Sequence, residues 1–270
     1  MSFLKYHLIL ITVFDIALGG AIMTKEIISP ITDHALPDKL SAEEAARQGH
    51  FVHSQPTPEN SILLLIDHQI GLIESTRAQQ TSELRDNILG LALTAKALGI
   101  PVLISSSNAQ WQNGDTIPEL KEIFPDEPIY RRTGIINAYA DPTFRKAFDD
   151  LVQSTGRDHI IIAATTIGTC CTFPTLSMLN DGYQVFPVID ACGAWTDLEI
   201  RGASSRMEKA GAELVTVFSL ACELTGDWKR PDAMKVFPPF QKYLPSYGYI
   251  IDSFWHNMDE DKPSDPFAQK

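Results

Sequence analysis

Short apolar runs recur along this chain, each followed by a segment with helical spacing. That alternation restricts the fold more than any other feature. The first run, SILLLID at Ser61–Asp67, is apolar at every position from Ile62 to Ile66. It lacks the in-out alternation of a half-exposed strand, so it reads as a strand buried on both faces. TSELRDNILGLALTAKALGI follows, with Thr81 or Ser82 placed to cap, Leu84, Ile88, Leu91 and Ala95 at helical spacing, and Gly99 as the stop. PVLISSS is a second strand, IPELKEIFP a short helix and EPIYRRT a brief third strand. DPTFRKAFDDLVQSTG opens with Asp141 as cap and Pro142 at the first helical position, and ends at Gly156. HIIIAATT is strand four, CCTFPTLSMLNDG a helix, YQVFPVIDAC strand five, LEIRGASSRMEKAGA a helix and ELVTVFSL strand six; ACELTGDW adds a last helical turn or two. Strands alternating with helices predict an α/β fold, a three-layer sandwich whose six-stranded, mainly parallel sheet carries helices on both faces.

In such sheets, reactive groups gather at the carboxyl ends of the strands. The residues there are Asp67, the Ser105–Trp111 region, Arg131 and Arg132, the Thr165–Cys171 region, and Asp190–Cys192. Cys170 lies where strand four gives way to a helix. Free N–H groups and partial positive charge at a helix start favour a thiolate and can receive an oxyanion. A free cysteine also serves as a small buried hydrophobe, and on position alone both readings stand. Cys171 points elsewhere around the helix, toward packing. Asp67 reads as a proton acceptor or as a loop cap, and Asp190 as a cap. Arg132 reads as a cation beside the thiol, as an anion holder, or as a solvated side chain. Arg131 alternates with it, so one of the two faces in and the other out.

Other chemistries lack their signatures. The balance of 22 Lys+Arg against 34 Asp+Glu gives a net charge of −12, which leaves no basic footprint for nucleic acid. The 4 cysteines form no C-x-x-C, and no H-E-x-x-H, P-loop or G-x-S-x-G occurs, so neither a metal nor a nucleotide cofactor is expected. Residues 1–23 carry an interrupted apolar run that reads equally as a secretion signal or as sequence ahead of a start at Met23; export and retention both remain open, and no stable membrane span is expected. Residues 24–57 form a polar, Pro-punctuated arm. Residues 58–228 hold the catalytic-type domain, and 229–270 a Pro- and aromatic-rich extension laid over this domain or over a neighbouring subunit.

The stretches LLLIDHQIGL, IPELKEIFPDEPIYRRTGIINAY, IIIAATTIGTCCTFPTLSMLNDGYQVFPVIDACGAW and RMEKAGAELVTVFSLACELTGDW together resemble the isochorismatase-like cysteine hydrolases, and among them the YcaC-related bacterial branch. The resemblance covers Pro58 to Trp228. It implies an Asp–Lys–Cys triad, with the aspartate at Asp67, the nucleophile at Cys170 and the lysine position at Arg132. Arginine cannot relay a proton, so Arg132 is expected to act by charge alone. A non-proline cis peptide is implied at Thr166–Ile167, with the N–H groups of Ile167 and Cys170 as the oxyanion site. Gln69, Asn108, Trp111 and Phe173 are the expected pocket residues, with contact to a neighbouring subunit as the competing role for Trp111. The Asp-x-His metal pattern of the nicotinamidases is missing. The resemblance also implies a homo-oligomer, and Phe237, Phe240, Tyr243 and Tyr247 are expected to bury area between subunits.

Three functions follow. The first is a cofactor-independent cysteine hydrolase of a small amide or related C–N bond. The second is a redox-active thiol protein pairing Cys170 with Cys171 or Cys192. The third is a non-catalytic oligomeric binding protein.

Overall fold

The computed structural model describes residues 55–256, so the N-terminal segment, most of the arm and the last residues of the extension lie outside it. Five strands form one parallel sheet. β1 (Ser61–Ile66) is followed by α1 (Ile70–Ser75) and α2 (Thr81–Ala97). β2 (Val102–Ser107), α3 (Pro118–Ile123), β3 (Ile129–Arg132) and α4 (Pro142–Thr155) come next. β4 (His159–Ala164), α5 (Thr172–Asn180), β5 (Gln184–Pro187), α6 (Asp197–Lys209) and α7 (Val217–Thr225) complete the domain. The strand order is β3-β2-β1-β4-β5, so the direction of winding reverses beside β1. In register, Ile66 on β1 pairs with Ser105 on β2 and with Ala164 on β4, which brings the ends of three strands level.

Every residue of β1 and β4 is buried, as continuous apolar strands between two helical layers must be. α2 packs with α3 and α7, whereas α5 packs with α6 and with the Ala138–Ala140 turn that also meets α4. Local signals work as the sequence predicts at α4, where the Asp141 carboxylate accepts from the N–H groups of Thr143 and Phe144 and Gly156 closes the helix at φ 68°. At α2 they do not: the helix starts at Thr81 itself after Gln80, with no side-chain cap.

The sixth strand is shorter than expected. Glu213 and Val215 donate backbone hydrogen bonds to Val185 and Pro187, and Ile189 donates to Val215, so the chain begins to pair with β5. It then stops, because Thr216 and Ser219 form a reciprocal capping box that starts α7 at Val217. Only an isolated bridge, Val188 with Val215, remains of the strand. Asp190 reinforces the switch by accepting from the Val217 N–H at 2.9 Å, the cap role read from sequence.

The extension folds on its own chain. α8 (Phe237–Tyr243) and α9 (Pro245–His256) pack on each other, and α8 lies on α2. Phe240, Val236, Ile251 and Ala221 form a small second core, with Trp228, Phe237 and Tyr247 against it, while Tyr243 joins the main core. Phe240 and Tyr243 are therefore buried within this chain, and Phe237 and Tyr247 partly so. Among the described residues, no helix is long and apolar enough to cross a membrane. Phe240 is fully enclosed, so Phe240→Ala should lower the unfolding free energy by about 3–5 kcal/mol in a denaturant titration. A loss below about 1 kcal/mol would show that the extension adds little to the fold.

Candidate active site

The site is built across the carboxyl ends of the strands, next to the reversal beside β1, where open parallel sheets bind ligands. Asp67 ends β1 with φ 57°, a left-handed conformation that aspartate tolerates better than most residues. Its N–H donates to Ser105 and its carbonyl accepts from Gln69, which fixes a tight turn. Its side chain is fully enclosed, as is that of Arg132 at the end of β3. One terminal nitrogen of Arg132 donates to both Asp67 oxygens. The Nε donates to Ser105 Oγ at 3.0 Å, and the other terminal nitrogen donates to the carbonyls of Ile135 and Ile136.

A guanidinium has five N–H donors, and here all five are engaged. Arg132 therefore braces Asp67 and has no N–H left to donate to a substrate anion or to the cysteine, and, being enclosed, it is not a solvated side chain. Arg131 faces out and meets Asp115 at 3.2 Å, as strand alternation requires.

Cys170 approaches Asp67 from the β4 side, near enough for thiol and carboxylate to shift each other's protonation. Burial and the Asp67 charge push the thiol up to about 12, against a hydrogen bond from Thr169 and one from the Thr166 N–H. The resting sulfur is thus a protonated thiol, not the thiolate that a helix start and a nearby cation would favour. Burial pushes the Asp67 carboxyl upward as well, against the pull of Arg132, Cys170 and Ser105.

The helix-start expectation fails because Ile167–Cys171 is a wide π turn, and α5 begins only at Thr172. Pro174 has no N–H to donate to the Cys170 carbonyl, so a regular α-helix through Cys170 would lack a bond there. Thr172 Oγ1 instead donates to the Ile167 carbonyl at 2.7 Å. The cis peptide lies at Thr165–Thr166, one residue before the expected Thr166–Ile167. The Ile167 N–H is occupied by the Gly193 carbonyl at 2.8 Å, so it is unavailable to an oxyanion. The N–H directed at Cys170 belongs to Thr166. Cys171 faces the core, fully buried, with its sulfur 3.9 Å from Met207 Sδ.

The four expected pocket residues separate. Gln69 is buried, and its amide holds backbone: Oε1 accepts from the Ser107 N–H at 2.8 Å, while Nε2 donates to the carbonyls of Ser107 and Gly114. It clamps the loop after β2 and has no amide group left for a ligand. Asn108 turns that loop at φ 46°, its N–H donating to the Arg132 carbonyl. Trp111 is 74% exposed at the loop tip. The Phe173 ring is half-buried and faces Arg206 of α6.

Two further residues shape the site. Ser105, in the middle of the Arg132–Asp67 brace, is a polar residue where a buried strand ends. Glu199 accepts from the Gly168 N–H at 3.3 Å and the Trp195 N–H at 2.8 Å, tying the Cys170 turn to the loop after β5. A Cβ on Gly168 would lie 2.7 Å from that carboxylate and would push it away. The spacing Thr196-x-x-Glu199 marks a helix cap in sequence, and Thr196 does cap α6, but the reach of Glu199 to Gly168 is tertiary. His68, next to Asp67, is buried and held down to about 3 by desolvation, with Nδ1 3.1 Å from Thr165 Oγ1. Among the described residues, no cluster of His, Cys, Asp or Glu could hold a metal ion.

Comparison with known proteins fits this geometry. The isochorismatase domain family matches residues 61–218. A protein called probable hydrolase YcaC, from Escherichia coli, is 36% identical over 195 residues, 72% of this chain and 91% of the relative. YcaC from Pseudomonas aeruginosa, solved with hexane-2,5-diol and covalent acrylamide, superposes with a TM-score of 0.71 and 37% identity over 76% of this chain and 99% of that one. The Escherichia coli YcaC structure, described as an octameric hydrolase of unknown specificity, gives 0.71 and 35% over 76% of this chain and 98% of that one.

Removing the brace should leave a buried carboxylate unpaired. Arg132→Met is expected to lower the unfolding free energy near neutral pH by about 3–5 kcal/mol. Without the cation the folded Asp67 carboxyl rises further above its unfolded value, so protonation favours the folded variant. The deficit should therefore shrink as pH falls below neutral. A deficit that grows toward acid pH in denaturant titrations would contradict this.

Proposed function

Since this chain belongs to the isochorismatase family, we propose that it is a hydrolase that cleaves a small, uncharged amide or related C–N bond through Cys170 without a cofactor. The Cys170 thiol set beside the enclosed Asp67 carboxylate carries this reading. A protonated nucleophile is paired there with its proton acceptor. As Sγ bonds to the carbonyl carbon, the thiol proton passes to Asp67 and the carbonyl electron pair moves to oxygen. The N–H groups of Thr166 and Cys170 receive that oxyanion. The C–N bond then breaks, and Asp67 returns the proton to the leaving nitrogen. Water attacks the thioester, losing a proton to Asp67, and the departing sulfur regains it. Arg132 stays charged throughout and holds Asp67 in place. With its donors engaged, it offers nothing to a substrate carboxylate, hence the uncharged substrate.

The covalent acrylamide on the Pseudomonas aeruginosa relative supports the reading, because an electron-poor alkene traps a thiol nucleophile and acrylamide is itself a small neutral amide. The octameric Escherichia coli relative supports a homo-oligomer. The test is a panel of small aliphatic amides and carbamoyl compounds. Cys170→Ala should abolish turnover and any acrylamide labelling beyond that of Cys222, while Cys171→Ala keeps both. Asp67→Asn should reduce turnover by about a thousandfold. Undiminished labelling or turnover in Cys170→Ala would overturn the assignment.

A further inference from the structure

Attack by Cys170 puts negative charge on a half-buried sulfur, at least in part, before the new bond is complete. Arg132 donates nothing to that sulfur, since its N–H groups go to Asp67, Ser105, Ile135 and Ile136. Helix α5 starts too late to present its first turn there. The Thr166 N–H faces the charge from one side, and a second donor strengthens that hold, since burial opposes the charge.

The Thr169 hydroxyl is such a donor, with Oγ1 3.5 Å from Cys170 Sγ. On its far side, Thr166 Oγ1 lies 3.1 Å from Thr169 Oγ1. A hydroxyl has one proton to give and lone pairs to accept with. When Thr169 gives its proton to sulfur, Thr166 is the donor in the bond between the two hydroxyls. The sulfur's own proton goes to Asp67. All the bonds then run one way, from Thr166 to Thr169 to Cys170 to Asp67, with each donor meeting an acceptor. Thr172, three residues on, shows the ordinary alternative, its hydroxyl returned to a backbone carbonyl. Thr169 does not take that course.

The geometry points to Thr169 as a further catalytic residue, whose hydroxyl holds the charge on Cys170 sulfur as the thiol proton leaves for Asp67, with Thr166 orienting it. This rests on Cys170 being the nucleophile. The step changes no redox state and needs no co-reactant: one hydrogen bond shortens as a proton crosses from sulfur to carboxylate.

Alkylation of the full chain by iodoacetamide, resolved by mass spectrometry at each cysteine, tests it. The partly exposed Cys222 serves as internal reference. Near pH 8, Thr169→Val should slow alkylation of Cys170 about tenfold while leaving Cys222 unchanged, the size expected for losing a hydrogen bond to a charged group. Thr169→Ser should restore the rate, and Thr166→Val should fall between the two. Should the valine variant not fold, Thr169→Ala carries the same test. Labelling of Cys170 at the wild-type rate in the valine or alanine variant overturns the role of Thr169. A wild-type Cys170 that stays unlabelled even in strongly alkaline solution, while Cys222 reacts, overturns the nucleophile reading beneath it.

Discussion

The buried ion pair between Asp67 and Arg132 is the constraint around which the site is arranged. Asp67 ends β1 and Arg132 ends β3, with β2 between them, and Ser105 on β2 touches both. Cys170 comes in from β4 on the other side of β1. The side chains thus follow the order of the sheet, Arg132, Ser105, Asp67, Cys170, across four neighbouring strands. Two enclosed charges are unfavourable unless well matched, and breaking such a pair costs more than replacing it with apolar groups. Here the match is complete on the arginine side. That arrangement places a carboxylate in the core, aims it at a thiol and leaves the cation fixed behind it.

The same arrangement explains why arginine can stand where the wider family is expected to carry lysine. A lysine has three donors and can give up a proton. Arg132 has five donors, each with a protein partner, so its work is geometric and electrostatic. Proton transfer is left to Asp67, and the charge on sulfur to groups of the Thr165–Cys171 turn.

Much of this was legible in the sequence because it depends on local pattern. Continuous apolar runs gave the double-sided burial of β1 and β4, and Asp141, Pro142 and Gly156 marked α4. The carboxyl-end rule led to Asp67, Arg132 and Cys170, which the structure brings together. What was not legible depends on long-range competition. ELVTVFSL has strand composition, yet the Thr216–Ser219 capping box ends pairing after Val215. Pro174 marks where α5 cannot begin, but the π turn that replaces its first turn is set by bonds from Thr166, Ile167 and Thr172. Gln69 has the chemistry of a ligand contact, and only the position of the Ser107–Gly114 loop shows that its amide is already engaged. That the aromatic residues of the extension also pack on α2 and α7 of the same chain depends on a long-range contact that local pattern does not show.

The account turns on the state of one sulfur before substrate arrives. Titrating the thiolate ultraviolet absorbance of the wild type against Cys170→Ala isolates that group. A difference signal that stays absent through neutral pH and rises only in strongly alkaline solution would match a thiol held protonated by burial and by Asp67. A full thiolate signal at neutral pH would contradict the account, since Asp67 would then have no proton to accept.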